Sequence, residues 1–297
     1  MTTGELLPGR GVAQAGALAA ARAAPVARGA RRRRVDLLPY VMVAPALLAI
    51  TAFSLLPTLY GVLVSLYRVE FVELLTFVGA RNYVEVLTDP RFWNSARVSF
   101  TFTACSVGLT FVGGFGLALL GNQRVRFRSA FRTVALLPWV TSYVVTYLIF
   151  RWILNSDFGL LNAALVGVDV WRAAPYAMVL LLAGLQGITH ELYEAAAIDG
   201  ATRMRSFFAI TLPLMRPTIL VLVVLLTIID FNVVVVMLVL TGGGPGTATE
   251  AMSLRMYNEA FTYTRMGPAS AIAMIIFAAN LVLTAVYLRT LRSERHS

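Results

Sequence analysis

The amino-acid sequence predicts an all-α membrane protein, a polytopic helical bundle with about six transmembrane helices. Of its 297 residues, 58% are hydrophobic and only 13% are charged, whereas a soluble globular domain has about 45–50% apolar and about 25% charged residues. Six apolar runs reach, or nearly reach, the roughly 20 residues that a helix needs to cross a bilayer. No stretch of the chain is polar enough to fold as a separate soluble domain.

Residues 1–36 are the most basic part of the chain and precede the first apolar run. They are rich in Ala, Gly and Arg, contain only Glu5 and Asp36 as acids, and show no apolar helical face. We therefore expect a disordered basic arm on the cytoplasmic side, followed by a transmembrane domain over 37–297. The charge-free run at 37–67 is longer than the roughly 7–15 apolar residues of a signal peptide, and it predicts a first span.

Five further apolar runs predict the remaining spans, at residues 98–120, 133–150, 173–189, 217–240 and 266–288. Asp230 is the only ionisable residue inside any of the six predicted spans. If the N terminus is cytoplasmic, the cytoplasmic segments contain 17 of the 25 basic residues and the outer segments contain 8. Because basic residues concentrate on the cytoplasmic side, we expect both termini in the cytoplasm, which an even number of spans requires.

Composition argues against several classes of function. All 25 basic residues are arginine, so the chain lacks the Lys with which a phosphate-binding loop reaches the β- and γ-phosphates. Any ATP and Mg²⁺ must then be bound by a partner subunit. The single cysteine, Cys105, cannot form an internal disulfide, and His190 and His296 lack the Cys neighbours of a common metal site. We attribute the net charge of +10 to membrane topology, and we expect no nucleic-acid partner, no metal and no cofactor in this chain.

The loop at 190–217, between the fourth and fifth predicted spans, has the pattern of a helix–turn–helix. Its first segment is rich in helix formers, and Gly200 ends that segment with the freedom to take a positive φ angle. Thr202 is a candidate N-cap for a second short helix through Ile210, which we expect Pro213 to end because proline lacks the backbone N–H. Three apolar side chains of the second helix are available for burial: Phe207, Phe208 and Ile210. An alternative is an amphipathic helix pair that rests on lipid headgroups.

The residues of this loop resemble a known signature. At matching spacings they resemble the EAA motif of bacterial ABC-importer permeases, through Glu194, Ala195, Ala196, Gly200, Ile210, Leu212 and Pro213. The longer form found in carbohydrate importers adds Asp199, Ala201, Phe207 and Pro217. The resemblance implies that these residues form an ATPase-coupling element, which docks into a cleft of the ATPase subunit so that closure of the cleft tilts the permease helices.

A second resemblance covers the rest of the C-terminal half. Residues 241–245 read TGGGP, and the later matches are Tyr257, Glu259, Ala260, Phe261, Gly267 and 269–272. With matches upstream at 77–93 and 137–138, they resemble the first of two permease subunits in importers of the maltose and glycerol-phosphate type. The resemblance implies a loop that faces the binding protein, formed by Gly242, Gly243, Gly244 and Pro245. One departure is that Val234 and Val235 stand where this family often has a Phe-Asp pair.

Together the two resemblances imply a type I ABC importer permease fold and a transport subunit that is not an enzyme. Such a subunit forms a heterodimer with a second permease in the bacterial inner membrane, in contact with membrane lipid. It works with a dimer of ATP-binding subunits and an extracytoplasmic substrate-binding protein. The implied cargo is a sugar or related polyol of the oligosaccharide, disaccharide or glycerol-phosphate class.

Two other classes of function find less support. A secondary transporter or channel would need more ionisable residues inside its spans than Asp230 alone. A membrane-embedded enzyme would need a cluster of acids or nucleophiles near one interface. The acids of the 190–217 loop sit on one short helix and point in different directions: Glu191, Glu194 and Asp199.

Polar and aromatic residues inside the predicted spans are candidates for the substrate pathway, because a sugar site needs hydrogen-bonding groups and aromatic faces. They are Trp139, Tyr143, Gln186, Asp230, Asn232 and Asn280. Each could instead serve helix packing or an interfacial aromatic belt. Asp230 lies near the predicted midplane, where a carboxylate facing lipid would cost about 2.5–3.5 kcal/mol, so it either faces the cavity or ties two helices together across the subunit interface.

Overall fold

The computed structural model describes residues 38–70, 73–123, 126–154 and 161–294. The predicted basic arm at 1–36 lies outside these residues. The chain divides into two compact units, Met1–Ser54 and Leu55–Ser297.

The described part of the first unit is helical. Helix α1, Leu38–Ile50, contains Pro45 and leads into a π-helical segment, Thr51–Leu55. Large apolar side chains along this stretch are exposed, among them Met42 and Phe53. An apolar surface of this kind is suited to contact with lipid or with another membrane helix.

The second unit is helical apart from one described antiparallel hairpin. In chain order its elements are α2 Leu56–Ser65, β1 Tyr67–Glu70, β2 Glu73–Phe77, α3 Arg81–Thr88, α4 Pro90–Asn122, α5 Arg128–Val140, α6 Tyr143–Leu154, α7 Leu161–Gln186, α8 His190–Ile198, α9 Arg203–Ser206, α10 Leu212–Phe231, α11 Val235–Leu240, α12 Met252–Tyr257 and α13 Met266–Glu294. Two π-helical segments complete it, Phe207–Thr211 between α9 and α10 and Asn258–Thr262 after α12. In the hairpin, Tyr67 lies opposite Phe77.

The prediction of about six membrane spans is confirmed. Five helical stretches are long and apolar enough to cross a bilayer, and α5 and α6 make a sixth if the bent pair counts as one span. The five are Val41–Ser65, Pro90–Asn122, Leu165–Gln186, Arg203–Phe231 and Met266–Arg289.

The third predicted span, 133–150, is not one continuous helix. It consists of α5 and α6, which meet at an angle of 87°. The chain between them is extended at Thr141, which directly follows the last residue of α5. The Thr141 hydroxyl donates to the Pro138 carbonyl oxygen at 2.7 Å, so a carbonyl group freed by the bend is satisfied within the protein, as the interior of a membrane requires.

The fourth span begins earlier than the predicted range 173–189. The spanning part of α7 is Leu165–Gln186, so it includes Asp169 and Arg172. The prediction that Asp230 is the only ionisable residue inside a span is therefore wrong. The predicted span began after these two residues because charged side chains lower the hydropathy. In the fold they form an ion pair one helical turn apart, with 3.4 Å between Arg172 Nη2 and Asp169 Oδ1.

The fifth span also differs from its predicted bounds of 217–240. A single helical stretch runs over Arg203–Phe231, so Pro213 does not end the second loop helix. The wider π-helical turn over Phe207–Thr211 precedes Pro213 and accommodates its ring near the start of α10. The stretch ends at Phe231, where the side-chain Nδ2 of Asn232 donates to the Ile228 carbonyl oxygen at 2.6 Å.

Small residues let α4 and α7 lie close together. A Cβ atom on Gly114 would come within 2.4 Å of the Ala177 Cβ, so a residue larger than glycine does not fit at this crossing. Close approach over small residues is a common mode of packing between membrane helices. Large apolar side chains from α4, α7 and α10 form the surrounding core: Val107, Phe115, Met178, Leu181, Leu185, Met215, Leu222 and Leu226.

Candidate functional site

The loop between α7 and α10 contains the predicted helix–turn–helix. Helix α8 ends at Ile198, and Gly200 follows with a φ of +77°, in the left-handed region that favours glycine. The N–H groups of Gly200 and Ala201 donate to the carbonyl oxygens of Ala197, at 3.1 Å, and Ala196, at 2.8 Å. These bonds satisfy carbonyl groups at the C-terminal end of α8, so the turn has one defined geometry.

The second helix of the loop begins where the sequence predicts. Thr202 has an extended backbone, and its Oγ1 accepts a hydrogen bond from the Arg205 N–H at 3.3 Å, which satisfies an otherwise unpaired donor at the helix start. The helix then passes through the π-helical segment into α10 without interruption. The loop and the fifth span are therefore parts of one continuous helix.

Most of the predicted coupling residues on α8 and its turn face outward. The exposed ones are Glu194, Ala195, Asp199 and Gly200, while Ala196 and Ala201 are half-buried. The Glu194 carboxylate lies 3.7 Å from His190 Nδ1 on the same helix face. Ile198 is 87% exposed. Small, acidic and apolar groups thus share one open surface.

The opposite side of the loop is anchored to the membrane helices. The Phe207 ring packs edge-on against Phe115 of α4, with 5.7 Å between ring centroids. The hydroxyl groups of Tyr193 and Thr211 are 2.8 Å apart and link α8 to the start of α10. Among the remaining predicted residues, Ile210, Leu212 and Pro213 are half-buried and Phe208 is exposed.

A buried polar cluster lies among α4, α6 and α7. Asp169 Oδ2 accepts a hydrogen bond from Ser106 Oγ at 2.7 Å, and Asp169 Oδ1 accepts one from the Tyr147 hydroxyl at 2.8 Å. Arg172 donates through Nε to the Tyr147 hydroxyl oxygen at 3.1 Å. The Asp169 side chain is only 1% exposed and that of Arg172 3%. Because each charge is paired and hydrogen-bonded, the cluster meets the requirement for charged groups in a low-dielectric interior.

A cavity of about 180 Å³ adjoins this cluster. Its lining contains aromatic rings, apolar side chains, one basic side chain and one acidic side chain: Trp139, Tyr143, Arg172, Ala173, Tyr176, Leu226, Ile229 and Asp230. The Trp139 and Tyr176 rings stack with centroids 5.6 Å apart, and the Arg172 guanidinium carbon lies 3.8 Å from the Tyr143 ring centroid. Aromatic faces beside a few polar groups are the usual composition of a small-molecule site.

Asp230 is the lining residue with unused hydrogen-bonding capacity. It is 3% exposed, and its Oδ2 atom has no hydrogen-bond partner among the residues that the structure describes. A buried carboxylate oxygen without a donor is costly. Because this oxygen is itself buried, a donor in the cavity reaches it only when the neighbouring side chains move apart.

The structure brings some of the predicted pathway residues together and leaves others apart. Trp139, Tyr143 and Asp230 line the same cavity. Asn280 Nδ2 donates to Asn232 Oδ1 at 3.2 Å, so these two amides link α13 to the end of α10. Gln186 is the exposed last residue of α7.

Sequence reasoning missed two further cavity residues, Arg172 and Tyr176, and the residues that hold Arg172 in place. One signal could have identified the ion pair. Asp169 and Arg172 are three residues apart, the spacing at which opposite charges meet on a helix, immediately before the apolar run that predicted the fourth span.

The loop that follows α11 is rich in glycine with positive φ angles. These angles are +61° at Gly242, +91° at Gly243 and +61° at Gly246, and the Gly244-Pro245 peptide bond is cis. The Thr249 hydroxyl donates to the Gly244 carbonyl oxygen at 2.9 Å. The TGGGP segment therefore forms a compact, internally bonded loop.

Ion pairs connect the start of α4 to the segment before α13. Arg255 pairs with Asp89, with Glu250 at 3.8 Å and with Glu259 at 3.5 Å. Arg265 lies 3.4 Å from Glu259. Burial raises the pKa of Glu259, although both arginines act to lower it. This network joins the residue before α4 to α12 and to the segments on either side of α12.

Among the described residues, no three His, Cys, Asp or Glu side chains are grouped as a metal site would require.

The chain is similar to proteins of one transport family. Residues 110–293 match the family described as binding-protein-dependent transport system inner membrane component. The chain is 37% identical over 280 residues to the trehalose/maltose transport system permease protein MalF of Thermococcus litoralis, covering 87% of this chain and 95% of the relative. It is 31% identical over 281 residues to the sulfoquinovosyl glycerol transport system permease protein SmoG of Agrobacterium fabrum, covering 87% and 91%.

Solved structures share the fold. A chain in the crystal structure of a bacterial alginate ABC transporter, in complex with an alginate pentasaccharide-bound periplasmic protein, matches with a TM-score of 0.72 and 23% identity. The match covers 85% of this chain and 93% of that chain. These similarities confirm the predicted ABC importer permease fold.

Proposed function

Because this chain belongs to the family of binding-protein-dependent transport system inner membrane components, we propose that it is one of two permease subunits of an ATP-driven importer. It is a multi-pass membrane transport protein and not an enzyme. Its proposed partners are a second permease, a pair of ATP-binding subunits that hold ATP and Mg²⁺, and an extracytoplasmic substrate-binding protein. The observation that carries this proposal is the exposed helix–turn–helix that continues directly into the fifth span.

The geometry of the loop supports its role in coupling. Its outer surface is open, with Glu194 and Ile198 exposed, so a partner can cover both a carboxylate and an apolar side chain. Its inner side is fixed to α4 through Phe207 and to α10 through Thr211. A movement imposed on the outer surface is therefore passed to α10, which carries Asp230.

The cavity supports a neutral sugar or polyol as the cargo. Arg172 is its only described basic group, and the charge of Arg172 is already matched by Asp169 at 3.4 Å. Asp230 adds a carboxyl group, so the lining holds no surplus positive charge that would favour an anionic cargo over a neutral one. Sugar hydroxyls can donate to the Asp230 carboxyl group once the cavity opens around it, and aromatic rings can cover the apolar face of a sugar ring.

The relatives transport both neutral and anionic molecules according to their names. One is named for trehalose and maltose, and the permease UgpA of Agrobacterium fabrum, 30% identical over 286 residues, is named for sn-glycerol-3-phosphate. The charge of the cavity favours the first kind. The unpaired Oδ2 of Asp230 also favours a cavity role for this residue over a purely structural link between helices.

We place the helix–turn–helix and both termini in the cytoplasm and the TGGGP loop outside. This orientation rests on the excess of arginine in the segments assigned to the cytoplasm. It puts the coupling surface on the side where ATP is available and the TGGGP loop, with its ion-pair network, on the side of the binding protein. In a bacterium the membrane is the inner membrane.

The proposal is tested with the full chain, affinity-tagged and purified from membranes of cells that express its neighbouring transport genes. A second membrane subunit and an ATPase should co-purify with it. Uptake of radiolabelled trehalose or maltose is then compared with uptake of sn-glycerol-3-phosphate. We expect a neutral glycoside to be imported and to stimulate ATP hydrolysis. Import of sn-glycerol-3-phosphate alone would contradict the neutral cargo, and absence of a co-purifying ATPase would contradict the importer itself.

A further inference from the structure

A second, larger cavity lies on a different face of α4. It is a groove of about 710 Å³ between α4, the start of α7 and the turn before α12. Its lining consists of Asn94, Arg97, Val98, Thr101, Phe102, Cys105, Leu109, Leu165, Val166, Gly167, Met237, Ala248 and Thr249. The groove shares no lining residue with the cavity that contains Asp230.

One stripe of α4 forms the floor of the groove. Arg97, Thr101, Cys105 and Leu109 follow one another at intervals of four residues, so they lie on the same helix face, and all four are exposed. Arg97 is the only charged residue in the lining. Within the described parts of the chain, no acidic side chain forms an ion pair with it. The groove therefore has a cation at one end and mostly apolar walls beyond it.

The length of α4 allows an estimate of the depth of Arg97 in the membrane. Its 33 residues extend for about 50 Å at 1.5 Å per residue, which exceeds the roughly 30 Å hydrocarbon core. If the polar end at Asn122 marks one boundary of the core, the other boundary falls near Phe102. Arg97 then lies about 8 Å outside the hydrocarbon, in the headgroup layer, and Leu109 lies about 10 Å inside it.

We propose that this groove binds one acyl chain of an anionic phospholipid, with the lipid phosphate held by Arg97. A guanidinium group matches a phosphate with paired N–H donors and binds it more strongly than it binds a neutral acceptor. The apolar walls, which end at Leu109, then cover the chain over about the first 10 Å of one leaflet's hydrocarbon. The inference concerns a face of α4 that the proposed cargo does not touch, so it stands apart from the proposed function.

The charge of Arg97 favours an anionic phospholipid over a helix of the second permease. A partner helix that covered the groove would bury Arg97 and would have to supply an acidic side chain against it, because a buried charge without a partner is strongly destabilising. A phospholipid supplies that negative charge in its phosphate group and an apolar chain for the walls beyond it.

Native mass spectrometry of the assembled importer in detergent tests the proposal, with phosphatidylglycerol as the anionic probe and phosphatidylcholine as the zwitterionic one. We expect the wild-type protein to retain phosphatidylglycerol about tenfold better, as expected for charge-assisted hydrogen bonds to the phosphate group. Arg97→Gln should abolish this preference. The control is Arg91→Gln, which removes an exposed arginine of the same helix that does not line the groove and should keep the preference. Equal retention of both lipids by the wild type, or an unchanged preference in Arg97→Gln, overturns the proposal.

Cys105 provides an independent readout, because it lines the groove and is the single cysteine of the chain. A small photoreactive diazirine is attached to its thiol in native membranes and activated by light. An intact protein mass increased by one phospholipid supports the proposal. A covalent product with a second membrane subunit, or no lipid product, shows that protein or bulk solvent fills the groove and overturns it.

Discussion

Replacing Gly200 tests the effect of backbone strain, apart from any loss of contact, in the loop at 190–217 that we propose couples the chain to the ATPase. The residue has a φ of +77°, and a Cβ atom at this position would meet no other atom within 4 Å. A side chain would extend into open space, so the penalty comes from the backbone conformation itself. Gly200→Asn, Gly200→Ala and Gly200→Val form a graded series, because Asn tolerates the left-handed region best and a β-branched residue least.

The left-handed conformation costs an ordinary residue about 1–2 kcal/mol, with Asn below this range and a β-branched residue at its upper end or above. If the turn relaxes when the loop is not docked, this strain appears as weaker binding of the ATPase subunit. Each 1.4 kcal/mol is a factor of ten in affinity. We therefore expect losses of about threefold or less for Asn, about five- to tenfold for Ala and about thirtyfold or more for Val.

The assay measures binding of the purified ATPase subunit to the full chain in nanodiscs, together with cargo-stimulated ATP hydrolysis by the assembled importer. Membrane levels of the three variants should equal the wild type, since the turn is exposed and separate from the helix core. Affinity and stimulated hydrolysis should fall in the order Asn, Ala, Val. Equal affinity of the Val and Asn variants would refute the argument that a positive φ angle at this turn is required for docking.

Three further predictions concern the membrane domain. Reporter fusions should alternate between the two sides of the membrane: Arg126 inside, Asp157 outside, Gly200 inside and Gly244 outside. A fusion at Gly200 that reports an external position would contradict the proposed coupling role of the loop. Asp230→Asn should keep assembly and weaken uptake, whereas full transport by Asp230→Leu would show that the carboxylate has no role in passage. Asp169→Asn leaves Arg172 buried without its counter-charge and should lower stability by about 3–5 kcal/mol, measured as thermal unfolding of the purified chain. The double variant Asp169→Leu/Arg172→Leu should recover most of that loss, and failure to do so would mean that the hydrogen bonds matter more than the charges.

The turn and the start of the second helix in the loop at 190–217 could be predicted from the sequence. A glycine at the end of α8 and a threonine two residues later have few alternative structural roles, and both adopt the expected conformations at Gly200 and Thr202. Pro213 could not be interpreted in the same way. Its effect depends on whether the preceding turn can widen, and the π-helical turn before it allows the helix to continue.

The polar interior could not be predicted because hydropathy treats each residue alone. Asp169 and Arg172 each argue against a span, yet together with Tyr147 and Ser106 they satisfy one another inside it. Their partners come from α4 and α6, which are distant in sequence. The 87° bend at the end of α5 has the same origin, since Pro138 signals only a weak point and tertiary contacts decide the angle. Asp230 was found because it stands alone in an apolar run.

The continuous helical stretch Arg203–Phe231 connects the loop at 190–217 to Asp230, so a tilt at one end displaces the other. From Arg203 to Asp230 it measures about 40 Å at 1.5 Å per residue. A tilt of about 5° imposed at the loop end, near Arg203, would displace the far end by about 3.5 Å, which is longer than a hydrogen bond. A rotation of this size is thus large enough to remove one set of hydrogen-bond donors from Asp230 and bring another into range. ATP-driven motion at the loop would in this way change the affinity of the cavity for its cargo.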